Sequence, residues 1–293
     1  MSVILVTGSS TGIGQETALH LARQGNDVYA SVRNPDTATE LKEKIAAENL
    51  SAQIVKLDLV DPTTIESAVA EIMQRSGRID AVIANAGIGA GSSVEETELE
   101  VARDIFETNY FGNVSLLRAV TPVLRKQKSG HIVMVGSLAG RYAAGCHGHY
   151  SASKWAMEGL CESLAQEMAE FDVRVSIVEP GCVITPMWTK GTPPDGPPLY
   201  PVTVQRLTRF FEFGLGPGRP AMPADVAQAI DTALNSDEPP FRIPVGKDAN
   251  EVIAGRSRVG DEAWIGALCL KDNEAFYDRW QDIVGVDYFR DPD

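Results

Sequence analysis

The chain has 293 residues, of which 44% are hydrophobic, and a mean hydropathy of −0.09, the proportions of an ordinary globular protein. A formal net charge of −14 argues against nucleic acid or an anionic membrane as partner, because both favour basic surfaces. No apolar run approaches the length of a membrane span. The first residues also lack the basic segment of a signal peptide, so the cytoplasm is the expected compartment.

Residues 2–6 form a short, nearly continuous apolar run, as expected of a strand buried on both faces. It breaks into Thr7-Gly8-Ser9-Ser10-Thr11-Gly12-Ile13-Gly14. A helical pattern follows with Ile13, Thr17, Ala18, Leu21 and Ala22 on one side and Gly25 as the stop. Between a strand and a helix, glycines let the backbone turn tightly and approach a pyrophosphate, which sits among the free N–H groups of the helix start. A dinucleotide site is therefore preferred to a plain structural turn. Residues 27–32 read as the second strand. At this point NAD enzymes usually place an acid for the ribose hydroxyls, but here the sequence is Ser31-Val32-Arg33. An arginine pairs bidentately with a 2′-phosphate, where a carboxylate would repel it. The alternative is a surface arginine capping the loop. The missing acid favours NADP(H), with NAD(H) as second choice.

Residues 37–49 have the pattern of a polar amphipathic helix, and residues 53–57 that of a third strand leading to Asp58-Leu59. Pro62 opens a helix over 62–76, and a fourth strand over 79–84 runs into Asn85-Ala86-Gly87. Such alternation predicts an α/β doubly wound parallel sheet. Residues 97–124 read as two helices joined near Asn109, where an asparagine can also simply cap a helix break. A fifth strand over 132–135 ends at Gly136-Ser137, which puts Ser137 at a strand's carboxyl end, where open α/β sheets carry ligands.

Tyr150 and Lys154 follow in one long helix, four residues apart and so on one face. An ammonium beside a phenol stabilises the phenolate and makes a proton donor or acceptor. Taken alone, the pair is equally a ring-packed tyrosine beside a solvated lysine. Residues 173–178 give a sixth strand ending in Pro180-Gly181-Cys182-Val183-Ile184-Thr185. Residues 186–220 are rich in proline, glycine and aromatic side chains, and an apolar loop beyond a strand end is expected to be a substrate lid. Gly214-Leu215-Gly216-Pro217-Gly218 follows no strand and contains a proline, so it reads as lid or linker. A helix over 225–234 and a last strand over 241–245 precede an aromatic extension, residues 246–293, with helical spacing over 248–253 and 262–270. The extension is expected to pack on the rest of one domain spanning 1–293, or on a partner subunit.

Cys146, Cys161, Cys182 and Cys269 form no Cys-x-x-Cys pair and no zinc spacing. They read as buried or inert thiols rather than a disulfide framework. His147 and His149 read as loop histidines near a helix start, and no metal site is expected.

Thr7-Gly8…Gly12…Gly14, Asn85-Ala86-Gly87, Asn109, Ser137, Tyr150…Lys154 and Pro180-Gly181…Thr185 occur in an order and at distances that resemble the short-chain dehydrogenase/reductase family over residues 2–245. The string ending in Arg33 resembles its steroid- and retinol-type branch. The resemblance implies a Rossmann-type sheet of about seven strands with a C-terminal helical extension. It implies a nicotinamide cofactor held by Gly8, Ser10, Thr11, Gly12, Ile13, Gly14, Arg33, Asp58, Leu59, Asn85, Ala86, Gly87, Tyr150, Lys154, Pro180, Gly181, Val183 and Thr185. It further implies Tyr150 as general acid or base, Lys154 as its activator and ribose ligand, Ser137 as the hydrogen bond to the substrate oxygen, and Asn109 as holder of a relay water.

The first functional reading is an NADP(H)-dependent carbonyl reductase or alcohol dehydrogenase acting on a hydrophobic or bulky small molecule. A non-catalytic dinucleotide sensor is the second, disfavoured by the intact Ser-Tyr-Lys set. The third is a sugar epimerase or dehydratase, whose usual Gly-x-x-Gly-x-x-Gly spacing is missing. The family also implies a homo-oligomer, dimer before tetramer, through the helices holding residues 109–127 and 151–170.

Overall fold

The computed structural model describes residues 1–186 and 197–290. Its frame is a set of parallel strands: β1 (Val3–Val6), β2 (Asp27–Val32), β3 (Ala52–Lys56), β4 (Ala81–Ala84), β5 (Gly130–Val135), β6 (Val173–Pro180) and β7 (Arg242–Val245). Among the described residues they form one seven-stranded sheet in the order β3-β2-β1-β4-β5-β6-β7. The chain winds outward from β1 to β3, returns across β1, and adds β4 to β7 on the other side. That reversal leaves a crevice at the carboxyl ends of β1 and β4, the place where open α/β sheets take ligands.

Helices α1 (Gly12–Arg23), α2 (Thr39–Ala47), α3 (Pro62–Ser76), α4 (Leu99–Phe106), α5 (Asn113–Gln127), α6 (Gly148–Ala169) and α8 (Pro223–Asn235) cover the sheet. Alternate residues of β1 divide between two cores. Val3 and Leu5 pack with Ile72 of α3, Leu124 of α5 and Met157 of α6. Ile4 and Val6 pack with Leu19 of α1, Leu41 of α2 and Ile230 of α8. A strand buried on both faces needs apolar residues at every position, which is why β1 reads as a continuous run. Pro62 starts α3 beside the Asp61 cap, whose carboxylate accepts the Thr63 N–H at 3.1 Å, and Gly77 ends it at φ 72°. Pro244 is tolerated because β7 is an edge strand paired only with β6.

One expectation is sharpened and two change. Helices α4 and α5 are joined near Asn109 as expected, and the joint is a π-helical segment, Glu107–Gly112, that carries Asn109. The expected apolar loop contains a regular helix, α7 (Pro201–Gly214), which buries Phe210, while lid residues 187–196 lie outside the described residues. The extension forms α9 (Lys247–Ser257), α10 (Asp261–Leu268) and an unanticipated α11 (Asn273–Val284). These pack a third core of Trp264, Phe276, Trp280 and Tyr288 around Tyr142 and Phe210. The four thiols are free, and Cys161 and Cys182 are buried, but Cys269 is exposed. Burial pushes the Cys161 thiol up to about 12. No helix among the described residues is long and apolar enough to cross a membrane.

Candidate active site

The crevice is built first by backbone. Gly8 (φ 70°) and Gly12 (φ 62°) adopt the left-handed conformation that favours glycine, and a Cβ on Gly14 would collide with the Gly8 carbonyl oxygen. These constraints fix the turn between β1 and α1. The Thr11 side chain makes no capping hydrogen bond at the start of α1, and the first N–H groups of the helix have no partner within it. Ser10 and Thr11 are exposed beside them, and Ile13 is half-buried. Thr7 ties this turn to the end of β4: its Oγ1 accepts the Asn85 and Ala86 N–H groups at 2.9 and 3.1 Å. Asn85 Nδ2 returns a bond to the Thr7 carbonyl at 2.9 Å. The two glycine- and alanine-rich signatures are thus one interlocked unit, and they approach this closely only because Gly8 has no Cβ, which would sit 2.9 Å from Ala86 Cα.

Asn109 and Lys154 meet at the next signature. A Cβ on Gly87 would stand 3.0 Å from Asn109 Oδ1 and 3.8 Å from Lys154 Nζ. The buried Asn109 side chain accepts the Ile88 N–H at 2.8 Å and donates to the Ile88 carbonyl at 2.9 Å and to Ser153 Oγ at 3.0 Å. It therefore clamps the loop after β4 to α6, a more specific task than capping a helix break. Lys154 Nζ donates to the Val135 carbonyl at 3.1 Å and lies 5.7 Å from the centroid of the Tyr150 ring. Ser137, two residues beyond Val135, accepts the Ala139 N–H at 3.1 Å. Among the described residues the Tyr150 hydroxyl makes no hydrogen bond, and the Ser137 hydroxyl proton has no acceptor. The site thus contains an ammonium, a phenol and a hydroxyl with hydrogen-bonding capacity left for a ligand.

Arg33 is exposed at the end of β2 with no acidic partner among the described residues. Asp58 is half-buried and accepts the Val60 N–H at 3.2 Å. Leu59 instead turns its buried side chain against Gly112, where a Cβ would come within 2.6 Å of Leu59 Cβ. Pro180 ends β6, and Thr185 stands over the glycine turn, its Cβ 3.4 Å from a Cβ built on Gly12. Val183 is buried and bridges to Ala221. Sequence reasoning missed Asp248 of α9. Its buried carboxylate accepts the Cys182 N–H at 2.6 Å and fills the space over Gly181 that a Cβ would need. No local signal links positions 66 residues apart. It also missed the stacking of His147 on the Tyr150 ring, whose only signal was its place three residues before Tyr150.

Comparison with known proteins agrees with this geometry. The short chain dehydrogenase family profile matches residues 2–195. The chain is 35% identical over 265 residues to an oxidoreductase, BOA17, of Botryotinia fuckeliana (strain B05.10), covering 88% of this chain and 95% of the relative. It is 30% identical over 299 aligned residues to retinol dehydrogenase 8 of Bos taurus, covering 97% and 92%. Among solved structures, a short-chain dehydrogenase from Streptomyces avermitilis superposes with a TM-score of 0.79 at 32% identity, covering 90% of this chain and 97% of that one. A short chain dehydrogenase from Burkholderia cenocepacia J2315 in complex with NADP gives 0.71 at 26%, covering 92% and 98%. The chain belongs to the short-chain dehydrogenase/reductase family. It is an oxidoreductase that uses a nicotinamide dinucleotide.

Proposed function

We propose that the protein interconverts a ketone or aldehyde and an alcohol, using NADP(H), on a hydrophobic or bulky small molecule. The observation that carries this reading is the uncommitted Tyr150 hydroxyl, on a ring whose centroid lies 5.7 Å from Lys154 Nζ, with Lys154 and Asn109 gathered against Gly87 at the carboxyl end of β4. A dinucleotide fits the residues present. The uncapped start of α1 suits a pyrophosphate, and exposed Arg33 suits a 2′-phosphate. In this reading Asp58 and Leu59 would hold the adenine, and Asn85, Ala86, Gly87, Pro180, Gly181, Val183 and Thr185 would border the nicotinamide. The nicotinamide supplies or takes the hydride.

The chain's own residues manage the proton. Tyr150 gives its hydroxyl proton to the substrate oxygen in reduction and takes it back in oxidation. Lys154, with two ammonium protons beyond the one on Val135, stabilises the phenolate left behind and holds the ribose. Ser137 donates to the same substrate oxygen, where negative charge develops. Asn109 fixes the loop after β4 and, with its π-helical segment, holds the relay water by which Lys154 reaches solvent. Val94, Leu199, Tyr200 and Val202 form exposed apolar surface on the loop after β4 and the start of α7. That surface supports a hydrophobic substrate, as does the similarity to a retinol dehydrogenase. The intact Ser137, Tyr150 and Lys154 set favours catalysis over cofactor sensing. Exposed Phe111 and Trp155 on neighbouring helices support a homodimer through that face.

The test is NADPH oxidation with a panel of aliphatic, aromatic and retinoid carbonyl compounds. Tyr150→Phe is expected to lower turnover by at least about 10²-fold while NADPH still binds with unchanged affinity. Near wild-type turnover in that variant sinks the mechanism.

A further inference from the structure

His147 immediately precedes α6, and its imidazole lies on the Tyr150 ring, centroids 4.8 Å apart and planes 19° from parallel. Phe211 of α7 meets the same imidazole edge-on at 5.8 Å and 90°. The backbone at this point is fixed: His147 N–H donates to the Ala144 carbonyl at 3.3 Å, and its carbonyl accepts the Ser151 N–H at 3.0 Å. Among the described residues the imidazole makes no side-chain hydrogen bond. Parallel stacking presents a ring face to the phenol, not an N–H, so the contact is one of shape and dispersion. Burial pushes the imidazole down to about 4. It is therefore neutral near pH 7 and adds no charge beside Lys154.

Helix α7 is itself anchored away from the crevice. Phe210 stacks on Tyr288 of the extension at 5.2 Å and 15°. Arg206 lies 4.0 Å over the Phe276 ring and donates to Asn273 Oδ1 and the Leu270 carbonyl, both at 2.9 Å. Arg209 donates to the Phe289 carbonyl. A continuous set of contacts thus runs from the extension through α7 and Phe211 to His147 and the phenol.

We propose that His147 is a positioning residue for Tyr150: its neutral ring fixes the plane of the phenol, and Phe211 makes that plane depend on where α7 sits. The chemical requirement is a flat ring, not an imidazole. The proposal rests on the reading of Tyr150 as the proton donor.

The experiment compares wild type with His147→Phe, His147→Ala and Tyr150→Phe. NADPH oxidation is followed with acetophenone and all-trans-retinal as carbonyl probes, NADPH affinity by fluorescence, and ring placement by crystal structures. His147→Phe is expected to keep kcat within about 3-fold of wild type, and His147→Ala to lose about 10-fold in kcat with NADPH affinity unchanged, as the loss of one aromatic contact implies. In the crystals, Tyr150 keeps its plane in the first variant and turns in the second. Wild-type kcat and an unmoved Tyr150 in His147→Ala overturn the proposal. So does an equal loss in His147→Phe, which would mean that the imidazole nitrogens act. An inactive Tyr150→Phe beside a wild-type-like His147→Ala defeats only the positioning role, whereas an active Tyr150→Phe defeats the mechanism and the proposal together. If neither probe is turned over, the Tyr150 plane in the two crystal structures decides.

Discussion

Arg33 and Gly14 illustrate two ways in which a single position would bear on cofactor binding in the proposed reading. Gly14 acts by having no side chain, since any Cβ would strike the Gly8 carbonyl and open the turn. Arg33, in the proposed reading, acts by charge: it is exposed at the position where other dinucleotide enzymes place an acid. Replacing it with alanine is expected to raise KM for NADPH about 10- to 100-fold, because a hydrogen bond to a charged group is worth about 1.5–3 kcal/mol. KM for NADH should stay within about 2-fold by the same reasoning. Steady-state kinetics with both cofactors check this, and an equal rise for both means that Arg33 does not read the phosphate. Signals of this kind were legible in the sequence because their cause is local: a glycine turn, a missing carboxylate, a tyrosine and lysine one helical turn apart. Asp248 was not legible. Its effect on Gly181 and Cys182 comes through folding, and an isolated aspartate near a helix start also reads as an ordinary first-turn acid.

At the scale of elements, strands and helices of the sheet were readable because each carries its own period and its own stop. The π-helical segment was not, because it spans only Glu107–Gly112, too few residues for apolar spacing to reveal a widened turn. Helix α7 was obscured by the prolines and glycines on either side, which suggested loop throughout. Its placement depends on residues far along the chain, Leu270, Asn273 and Phe276, which its own Arg206 engages. Arg206→Ala removes the ring contact with Phe276 and the bonds to Asn273 and Leu270. It is expected to destabilise the protein by about 2 kcal/mol and to raise KM for a bulky carbonyl substrate several-fold, with NADPH affinity unchanged. Denaturant melts and substrate kinetics test it together. A loss of stability without any change in KM separates the extension from the substrate site.

Across the whole molecule, four elements converge on a buried pair of acids. Glu158 of α6 and Glu179 of β6 are 6% and 0% exposed. Arg242 of β7 bonds Glu158 at 2.8 Å, and Arg141, in the turn after Ser137, bonds Glu179 at 3.1 Å. Arg242 also reaches Glu162 at 2.9 Å. Burial, reinforced by Glu179 and opposed by Arg242, pushes the Glu158 carboxyl up to about 7. A carboxyl raised in this way binds its proton more tightly folded than unfolded. Its contribution to stability is complete below about pH 4.3 and is lost as pH rises through about 7. His131 and His147, pushed down to about 4 chiefly by burial, act in the opposite direction, adding stability as pH rises from about 4 to 6.5. The difference between wild type and Glu158→Gln isolates the carboxyl. The stability of the variant relative to wild type is expected to grow by on the order of 2 kcal/mol between pH 5 and 8. A difference independent of pH would remove Glu158 from the titration.

The hydrogen bond from Cys182 N–H to Asp248 also bears on the order in which the molecule can be finished during synthesis. The ribosome releases the Pro180–Thr185 turn well before it releases α9. Until then the Cys182 donor and the hollow above Gly181 have no carboxylate to complete them, although the strands from β1 to β6 can already pair. The nascent chain therefore acquires its sheet first and this part of its crevice later. Lengthening the stretch between β7 and α9 would disturb the crevice while leaving the early-formed sheet intact.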